Sequence, residues 1–421
     1  MLSYEEAQRR IARHTPPPRT ARVPLREALG LVLARAVRAP GCLPRFDNAA
    51  VDGYAVRTVH DDGSSAGWRV IGCAEAGRPF RGRLRSGQAV RVYTGAPIPT
   101  GTDAVIMQED VETGDGAMTV RHPPSVGQHI RRAGEDVRRG DVVLRAGARL
   151  RPQSLGLLAA LGCASAPVYR QPTVAILTTG SELRQPAAPL RRGISSAAGT
   201  VPPRSGARLR AGQIYDSNQP LLEALVRQAG AEPRMLGAAQ DTLPALVRRL
   251  RRGLASADVL LIAGGVSVGD RDYVRPALRR CGVREIFWKV SIKPGMPLWF
   301  GRRGRTLVFG LPGNPVSVFV TFEEFVRSVL AALLGRRVKE TYTDEAELAH
   351  DLRVSARRRT HFVRVRYVGR NGRLRVAPLE DQGSHHLRSL ASADGWVRVQ
   401  SEAGPWPAGH AVRVKPAEAA W

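Results

Sequence analysis

Lys289 and Lys293 stand four residues apart in Phe287-Trp288-Lys289-Val290-Ser291-Ile292-Lys293-Pro294-Gly295. The chain has only two other lysines, Lys339 and Lys415, among 64 basic residues. A lysine is a compact charge on a flexible stem that meets a phosphate or other oxyanion as a point contact. Where nearly every cation is arginine, such a pair beside a glycine loop marks an anion site. Three acids, Glu182, Asp241 and Asp272, are expected along the same edge. Carboxylates suit a hard cation and lysines suit anionic oxygens, so the combination points to Mg²⁺-assisted phosphate chemistry.

These residues need a scaffold. Val174-Ala175-Ile176-Leu177, Val259-Leu260-Leu261-Ile262 and Thr306-Leu307-Val308-Phe309 have the composition of buried parallel strands. Each ends in a loop: Thr178 to Glu182, Gly264 to Asp270, and Gly310 to Asn314. Helical segments at Leu221–Ala229, Leu243–Leu254 and Val316–Leu334 complete a doubly wound α/β domain. Asn218, with Pro220 just inside, reads as the cap of the first of these helices. Ligands of such sheets bind beyond the carboxyl ends of the strands. Glycine admits backbone N–H groups close to a phosphate, and the helix after Pro315 offers its positive end. Candidate binding positions are therefore Gly180, Ser181, Gly264, Gly265, Ser267, Gly269, Pro312, Gly313 and Asn314. Neither glycine loop continues as Gly-Lys-Ser/Thr, and neither is a GxGxxG. The bland alternative is three tight strand-to-helix turns.

The remaining chain divides by texture. Residues 1–43 with 137–170 read as an elongated N-terminal helical domain. It starts at the capping-box spacing Ser3-Tyr4-Glu5-Glu6 and includes helical segments at Leu25–Val32 and Ser154–Leu161. Residues 44–136 carry short β-type runs split by Gly and Pro, the pattern of a small β domain. Residues 171–335 form the α/β domain. Within it 184–212 holds six arginines and no acid among Pro, Gly, Ser and Ala, the composition of a flexible surface insertion. Residues 336–421 return to strands, a C-terminal β-barrel-like domain. Its His385-His386 pair reads as surface, not as a metal site.

At 421 residues the chain exceeds one typical core. The formal charge of +27 comes from arginine doublets along the whole length, such as Arg131-Arg132 and Arg336-Arg337. That distribution fits solvated faces, and with aromatics at 5% it does not make a nucleic-acid surface. Cys42, Cys73, Cys163 and Cys281 are far apart and read as small buried residues in a reducing compartment. The first residues lack the apolar core of a signal peptide, and no stretch makes a good membrane span, so a soluble cytoplasmic protein is expected.

Six motifs then occur in order: Asn48-Ala49-Ala50-Val51-Asp52-Gly53-Tyr54-Ala55, Tyr93-Thr94-Gly95-Ala96, Gly134-Glu135-Asp136, Gly264 to Tyr273, Phe287 to Gly295, and Pro312-Gly313-Asn314-Pro315-Val316-Ser317. Together they resemble the molybdopterin molybdenumtransferase (MoeA) family, which includes the gephyrin E domain, over essentially the whole chain. The resemblance implies a multi-domain α/β plus β protein: a doubly wound, MogA-like pterin-binding domain, two small β domains and an elongated helical/linker domain. It implies a homodimer that inserts molybdate into adenylyl-molybdopterin and releases AMP with Mg²⁺. An adenylyltransferase partner and molybdoenzyme acceptors are further implied partners. Carried over by motif, Asp52, Thr94, Arg131 and Asp136 match site positions of the first β domain. Glu182, Asp241, Asp272, Lys289 and Lys293 match those of the α/β domain, and Ser384 one of the C-terminal domain. On this reading the lysines meet phosphate or molybdate oxygens. Glu182, Asp241 and Asp272 hold Mg²⁺ or position water, and Asp52, Thr94 and Asp136 shape the oxyanion end.

Two positions depart from the family pattern. Met296 stands where a cation commonly follows Pro-Gly, and Val51 where Met commonly precedes Asp-Gly-Tyr-Ala. One rival reading is a molybdopterin adenylyltransferase, which lacks the two β domains and usually reads Gly-Gly-Thr-Gly at the loop beginning Gly264. The other is a pterin-binding scaffold without turnover, against which the retained acids and lysines argue.

Overall fold

All seven residues of Thr173–Thr179 (β1) are buried, and their side chains alternate between two cores. The computed structural model describes residues 1–58, 67–114, 117–186, 209–266, 273–336, 340–354, 358–369, 374–401 and 404–417. It separates into two compact units, Met1–Ala21 with Tyr169–Trp421, and Arg22–Val168.

In the first unit the other strands of the sheet are Glu232–Ala239 (β2), Val259–Ala263 (β3), Arg284–Trp288 (β4), Trp299–Arg303 (β5) and Thr306–Leu311 (β6). Their spatial order is β2-β1-β3-β6-β5-β4. The first four run parallel, and β5 and β4 add an antiparallel edge. Strands β1 and β3 are apolar on both faces because helices cover both. On one side Val174, Ile176, Val259 and Leu261 pack with helices Tyr4–His14 (α1) and Asn218–Gln228 (α2). On the other, Ala175, Leu177, Leu260 and Ile262 meet Leu243–Ser256 (α3) and Val274–Arg280 (α4). Since β2 lies on one flank of β1 and β3 on the other, the order reverses at the β1–β3 seam.

The Ser3 hydroxyl caps α1 by accepting from the Glu6 N–H, while the Glu6 carboxylate pairs with Arg9 and Arg10 and not with the Ser3 N–H, so half of the expected box forms. The apolar face of α1 (Tyr4, Ala7, Ile11) belongs to the α/β core. Asn218 does not cap α2. Asp216 does so instead, its Oδ1 accepting at 3.1 Å from the N–H groups of both Asn218 and Gln219. The Asn218 amide is diverted to the Gly313 carbonyl at 2.7 Å.

Strands Asp344–Leu348 (β7), Thr360–Tyr367 (β8), Arg375–Pro378 (β9), Gly395–Gln400 (β10) and Ala411–Pro416 (β11) close into a barrel, since β8 pairs with both β9 and β10. The barrel docks on the long helix Pro315–Thr321, which passes through one π turn at Phe322–Val326 and continues as Arg327–Leu333. Phe319 stacks on Trp396 at 4.8 Å. Beneath that contact, Lys415 Nζ lies 3.0 Å from Glu323 Oε2 and 3.1 Å from Glu324 Oε1. Arg327 pairs with Glu323 as well, and Glu324 accepts from the hydroxyls of Tyr4 and Tyr342.

The second unit holds a six-stranded sheet ordered Ala104–Met107, Gly53–Val56, Gln88–Val92, Trp68–Ala74, Ala117–Val120 and Val111–Gly114. A side chain at Gly53 would put its Cβ 1.8 Å from the Ile106 carbonyl oxygen, so only glycine permits this strand approach. Leu25–Val32, read as helical, is a single 3₁₀ turn at Leu25–Glu27. Gly30 then takes φ +77°, and Val32 and Leu33 bridge to Arg149 and Val168, so tertiary pairing overrides local helix propensity. Helix Pro152–Ala160 forms, and its Leu158 packs with Ala28, Leu33 and Val168. Cys73 is exposed, not buried, because it sits at an outward-facing position of its strand; Cys281 is buried, and all four cysteines are free. Of the arginine-rich insertion, 187–208 lie outside the described residues.

Burial alone would push the Glu323 carboxyl up, yet Lys415 and Arg327 hold it below the usual range. A depressed folded value means that its contribution to stability is present above the ordinary carboxylate pKa and is lost as pH falls through the folded one. Lys415→Met strips the countercharge from two buried carboxylates and should cost about 3–5 kcal/mol. Urea unfolding at neutral pH checks this, and a midpoint equal to wild type would remove the cluster from the stability argument.

Candidate functional site

The loops after β1, β3 and β6 touch one another. Gly264 takes φ +95°, and a Cβ there would stand 2.8 Å from the Thr179 carbonyl oxygen and 2.9 Å from Thr179 Oγ1. A Cβ on Gly313 would lie 3.8 Å from Gly264 Cα. Thr179 Oγ1 is buried without a hydrogen-bond partner among the described residues. From the side, the Asn218 amide anchors the Gly313 carbonyl, while Asp216, 1% exposed, accepts from the Thr178 hydroxyl at 2.6 Å. The sequence reading missed Asp216. Its signal was its position two residues before Asn218, where an acid can satisfy the first free N–H groups of a helix.

The two described acids lie beyond the ends of β1 and β2. Ser181 donates to Asp241 Oδ2 through its backbone N–H at 3.1 Å, joining the loop after β1 to the loop after β2. The Glu182 carboxylate curls back over Gly180, its oxygens 2.6 and 2.7 Å from where a Cβ on Gly180 would stand. Ser267, Gly269 and Asp272 lie outside the described residues. Among the described residues no group of three or more His, Cys, Asp or Glu could hold a metal ion.

Lys289 takes φ +70°, held by hydrogen bonds from its N–H to Leu298 O and from Leu2 N–H to its carbonyl. That left-handed backbone costs roughly 1–2 kcal/mol for a residue with a Cβ. Its ammonium lies 4.2 Å over the Trp288 ring, whose indole N–H donates to Val266 O in the loop after β3. Lys293 is exposed, and its short strand Ile292–Lys293 pairs with Thr360–His361 of the barrel. Among the described residues neither lysine makes a hydrogen bond or ion pair with Glu182 or Asp241. Ser384 reaches the third loop: Asn314 Nδ2 donates to Ser384 Oγ at 2.7 Å, and the Val316 N–H to Ser384 O at 3.2 Å.

In the second unit, Thr94 donates both its N–H and its hydroxyl to Asp52 Oδ1 at 2.7 Å. Ala49 exchanges hydrogen bonds with the Tyr93–Ala96 turn, and Arg131 pairs in register with Asn48. Asp136 is exposed at the end of a turn that Asp47 fixes through the Ala133 N–H (2.8 Å) and Arg132 (2.7 Å). The chain around the first three motifs of the sequence thus meets in one place. Arg91 was not singled out from the sequence; it spans Tyr54 and Gln108 and lies over the Tyr54 and Tyr93 rings.

Residues 2–162 match the family described as MoeA N-terminal region (domain I and II), 175–332 a probable molybdopterin binding domain, and 345–417 the MoeA C-terminal region (domain IV). The chain is 37% identical to molybdopterin molybdenumtransferase of Haemophilus influenzae over 99% of its own length and 98% of that protein's. It belongs to the molybdopterin molybdenumtransferase family. The family member from Bacillus subtilis is 32% identical over 98% of this chain and 93% of its own. A molybdopterin biosynthesis MoeA protein from Pyrococcus horikoshii OT3 superposes with a TM-score of 0.68 at 32% identity, covering 99% of this chain and all of that one.

The family's multi-domain fold therefore accounts for both β domains flanking the α/β domain, which excludes the single-domain adenylyltransferase architecture. No helix among the described residues is long and apolar enough to cross a membrane.

The Asp52 carboxyl is held below its ordinary range, first by the Thr94 N–H, then by the Thr94 hydroxyl, with Arg91 adding to both. Thr94→Val removes only the hydroxyl, so the carboxyl should titrate at a higher pH while staying below the ordinary value. Carbon NMR of labelled aspartate reads this directly; an unmoved titration would show that the hydroxyl bond is not made.

Proposed function

We propose that this transferase inserts molybdate into adenylyl-molybdopterin and releases AMP, a step of molybdenum cofactor biosynthesis. The observation that carries the reading is the meeting of three strand-end loops at the β1–β3 seam. There a Gly-lined floor, two carboxylates and the Asn314–Ser384 pair occupy one edge of the sheet. A phosphorylated pterin suits such an edge: its oxygens approach backbone N–H groups where no side chain blocks them, as at Gly313, while the Gly264 N–H is given to the Leu311 carbonyl.

Mg²⁺ fits the donors. It takes one or two carboxylates and completes its shell with waters and phosphate oxygens. Glu182 supplies a carboxylate with no partner among the described residues, and Asp241 one whose Oδ2 alone is taken, by Ser181. When bound there, the ion would neutralise phosphate charge. Asp272 is assigned to the same shell from its motif. Lys289, steadied over Trp288, and Lys293, free in solvent, place positive charge for the phosphate or molybdate oxygens. Asp52, held as a carboxylate by Thr94, is assigned with Asp136 and Arg131 to the oxyanion end. We place the protein in the cytoplasm as a homodimer. It would receive its substrate from an adenylyl transfer reaction and pass its product to molybdoenzymes.

Purified protein with adenylyl-molybdopterin and Mg²⁺ should release AMP faster when molybdate is added. Lys293→Ala should lower that release by about 10²-fold or more, the scale of losing one charge at a transition state. Molybdate-independent release, or none despite tight pterin binding, would overturn the transferase reading. An Asp272→Ala enzyme with undiminished release would remove that residue from the metal shell.

A further inference from the structure

In a regular strand, neighbouring side chains leave on opposite faces. Trp288 and Lys289 break that rule at the end of β4: the Lys289 ammonium lies 4.2 Å from the centroid of the Trp288 ring. The left-handed backbone of Lys289, φ +70°, supplies the turn that folds the two together. Alternation then resumes out of phase. Phe287 and Val290 are both buried in the core that holds α1 and α2, while Trp288 packs on the opposite core. The indole is fixed from two further sides. Its N–H donates to the Val266 carbonyl at 3.1 Å, in the loop after β3, and the Arg275 guanidinium of α4 lies 3.9 Å from the ring centroid. Arg275 is tied in turn to Glu285 Oε2 at 3.2 Å, and the same oxygen accepts from the Trp299 indole at 2.8 Å. This arrangement has a cost, since Arg275 Nε is buried with no hydrogen-bond partner among the described residues. A leucine would fill the place of Trp288 but would neither donate to Val266 nor attract an ammonium.

A lysine ammonium free on its flexible stem loses conformational freedom when it meets an anion, and one already at rest loses less. A carboxylate could hold it at rest, but would also neutralise it. An aromatic face attracts the cation through its quadrupole and leaves its charge and its donors for a ligand. We propose that Trp288 is a positioning residue for Lys289: its ring holds the ammonium and its N–H ties that ring to the loop after β3, so that cation and loop meet an anionic oxygen of the substrate in fixed register. The inference rests on the proposed transferase site, and adds to it the side chain that joins two of its elements.

If Trp288 acts through Lys289, its loss matters only while the lysine is there. Trp288→Leu should lower kcat/KM for adenylyl-molybdopterin about tenfold, the scale of one cation–π contact. In a Lys289→Met background the same change should cost less than about twofold. Trp288→Phe keeps a ring face and loses only the N–H, so its loss should lie between, at about threefold, and it carries the same cycle if the Leu variant does not fold. Equal losses in the two backgrounds, or a Phe variant as poor as the Leu one, would overturn the inference. The ring contact also has a readout that needs no turnover. The chain has four lysines, so carbon-13 lysine labelling of the full chain resolves their ε-methylene signals by NMR. The signal that Lys289→Met removes should stand upfield of the usual lysine position, displaced by the indole ring current, and should return to it in Trp288→Leu. A Lys289 signal at the usual position in the wild-type protein, or one that Trp288→Leu leaves unmoved, overturns the positioning role whether or not AMP is released. An upfield signal in a protein that releases no AMP would sink the transferase reading and leave the ring contact standing.

Discussion

The constraint that shapes the site edge of the first unit is the contact between the end of β1 and the loop after β3. Gly264 sits against the Thr179 carbonyl at a distance that no Cβ tolerates, with a backbone φ that L side chains rarely adopt. There β2 and β3 lie on opposite flanks of β1, and the helices that follow β1 and β2 cover opposite faces, α2 on one and α3 with α4 on the other. The floor of the edge is then main chain, and its polar side chains come from the rims: Ser181 and Asp241 on one flank, Asn218 and Asn314 on the other. The unpartnered Thr179 hydroxyl beneath the floor is a cost this closure leaves in place.

Charge is spent sparingly inside a chain whose surface is crowded with arginine. Among the described residues the one buried lysine is Lys415, under the barrel–helix contact, where its single point charge serves two adjacent carboxylates that the π turn places side by side. Arginine is buried at Arg364 and Arg327, and in both places its fork serves more than one acceptor. The Lys415 contacts hold the barrel to the α/β domain, while those of Arg364 stay within the barrel and those of Arg327 within the α/β domain.

Much of the fold was legible. Strands β1, β3 and β6, helix α3 and the barrel strands lie where apolar runs and turn residues put them, because buried parallel strands and short alternating strands leave strong local patterns. The motifs were legible for a similar reason: Gly53 and Gly264 stand where a Cβ has no room. Less legible were positions whose role depends on a distant partner. Leu25–Val32 has helical composition but pairs with residues more than a hundred positions away. Asn218 looks like a cap until the Gly313 carbonyl, from another strand end, claims its amide. Asp216, Arg91 and Arg364 carry no motif, since each gains its meaning from neighbours brought by other elements.

The sequence by itself determined the family, the strand-end loops and the kinds of donor at the site: two lysines, several acids and glycines at close approaches. Those follow from local chemistry, which spacing and residue type express. Only the tertiary structure decided which acid caps α2, that Lys289 rests on an indole anchored to the loop after β3, and that a barrel loop delivers Ser384 to Asn314. The indole anchor and the serine contact join residues 22 and 70 positions apart. Their geometry is set by packing and hydrogen-bond satisfaction of the whole core, which no window of sequence contains.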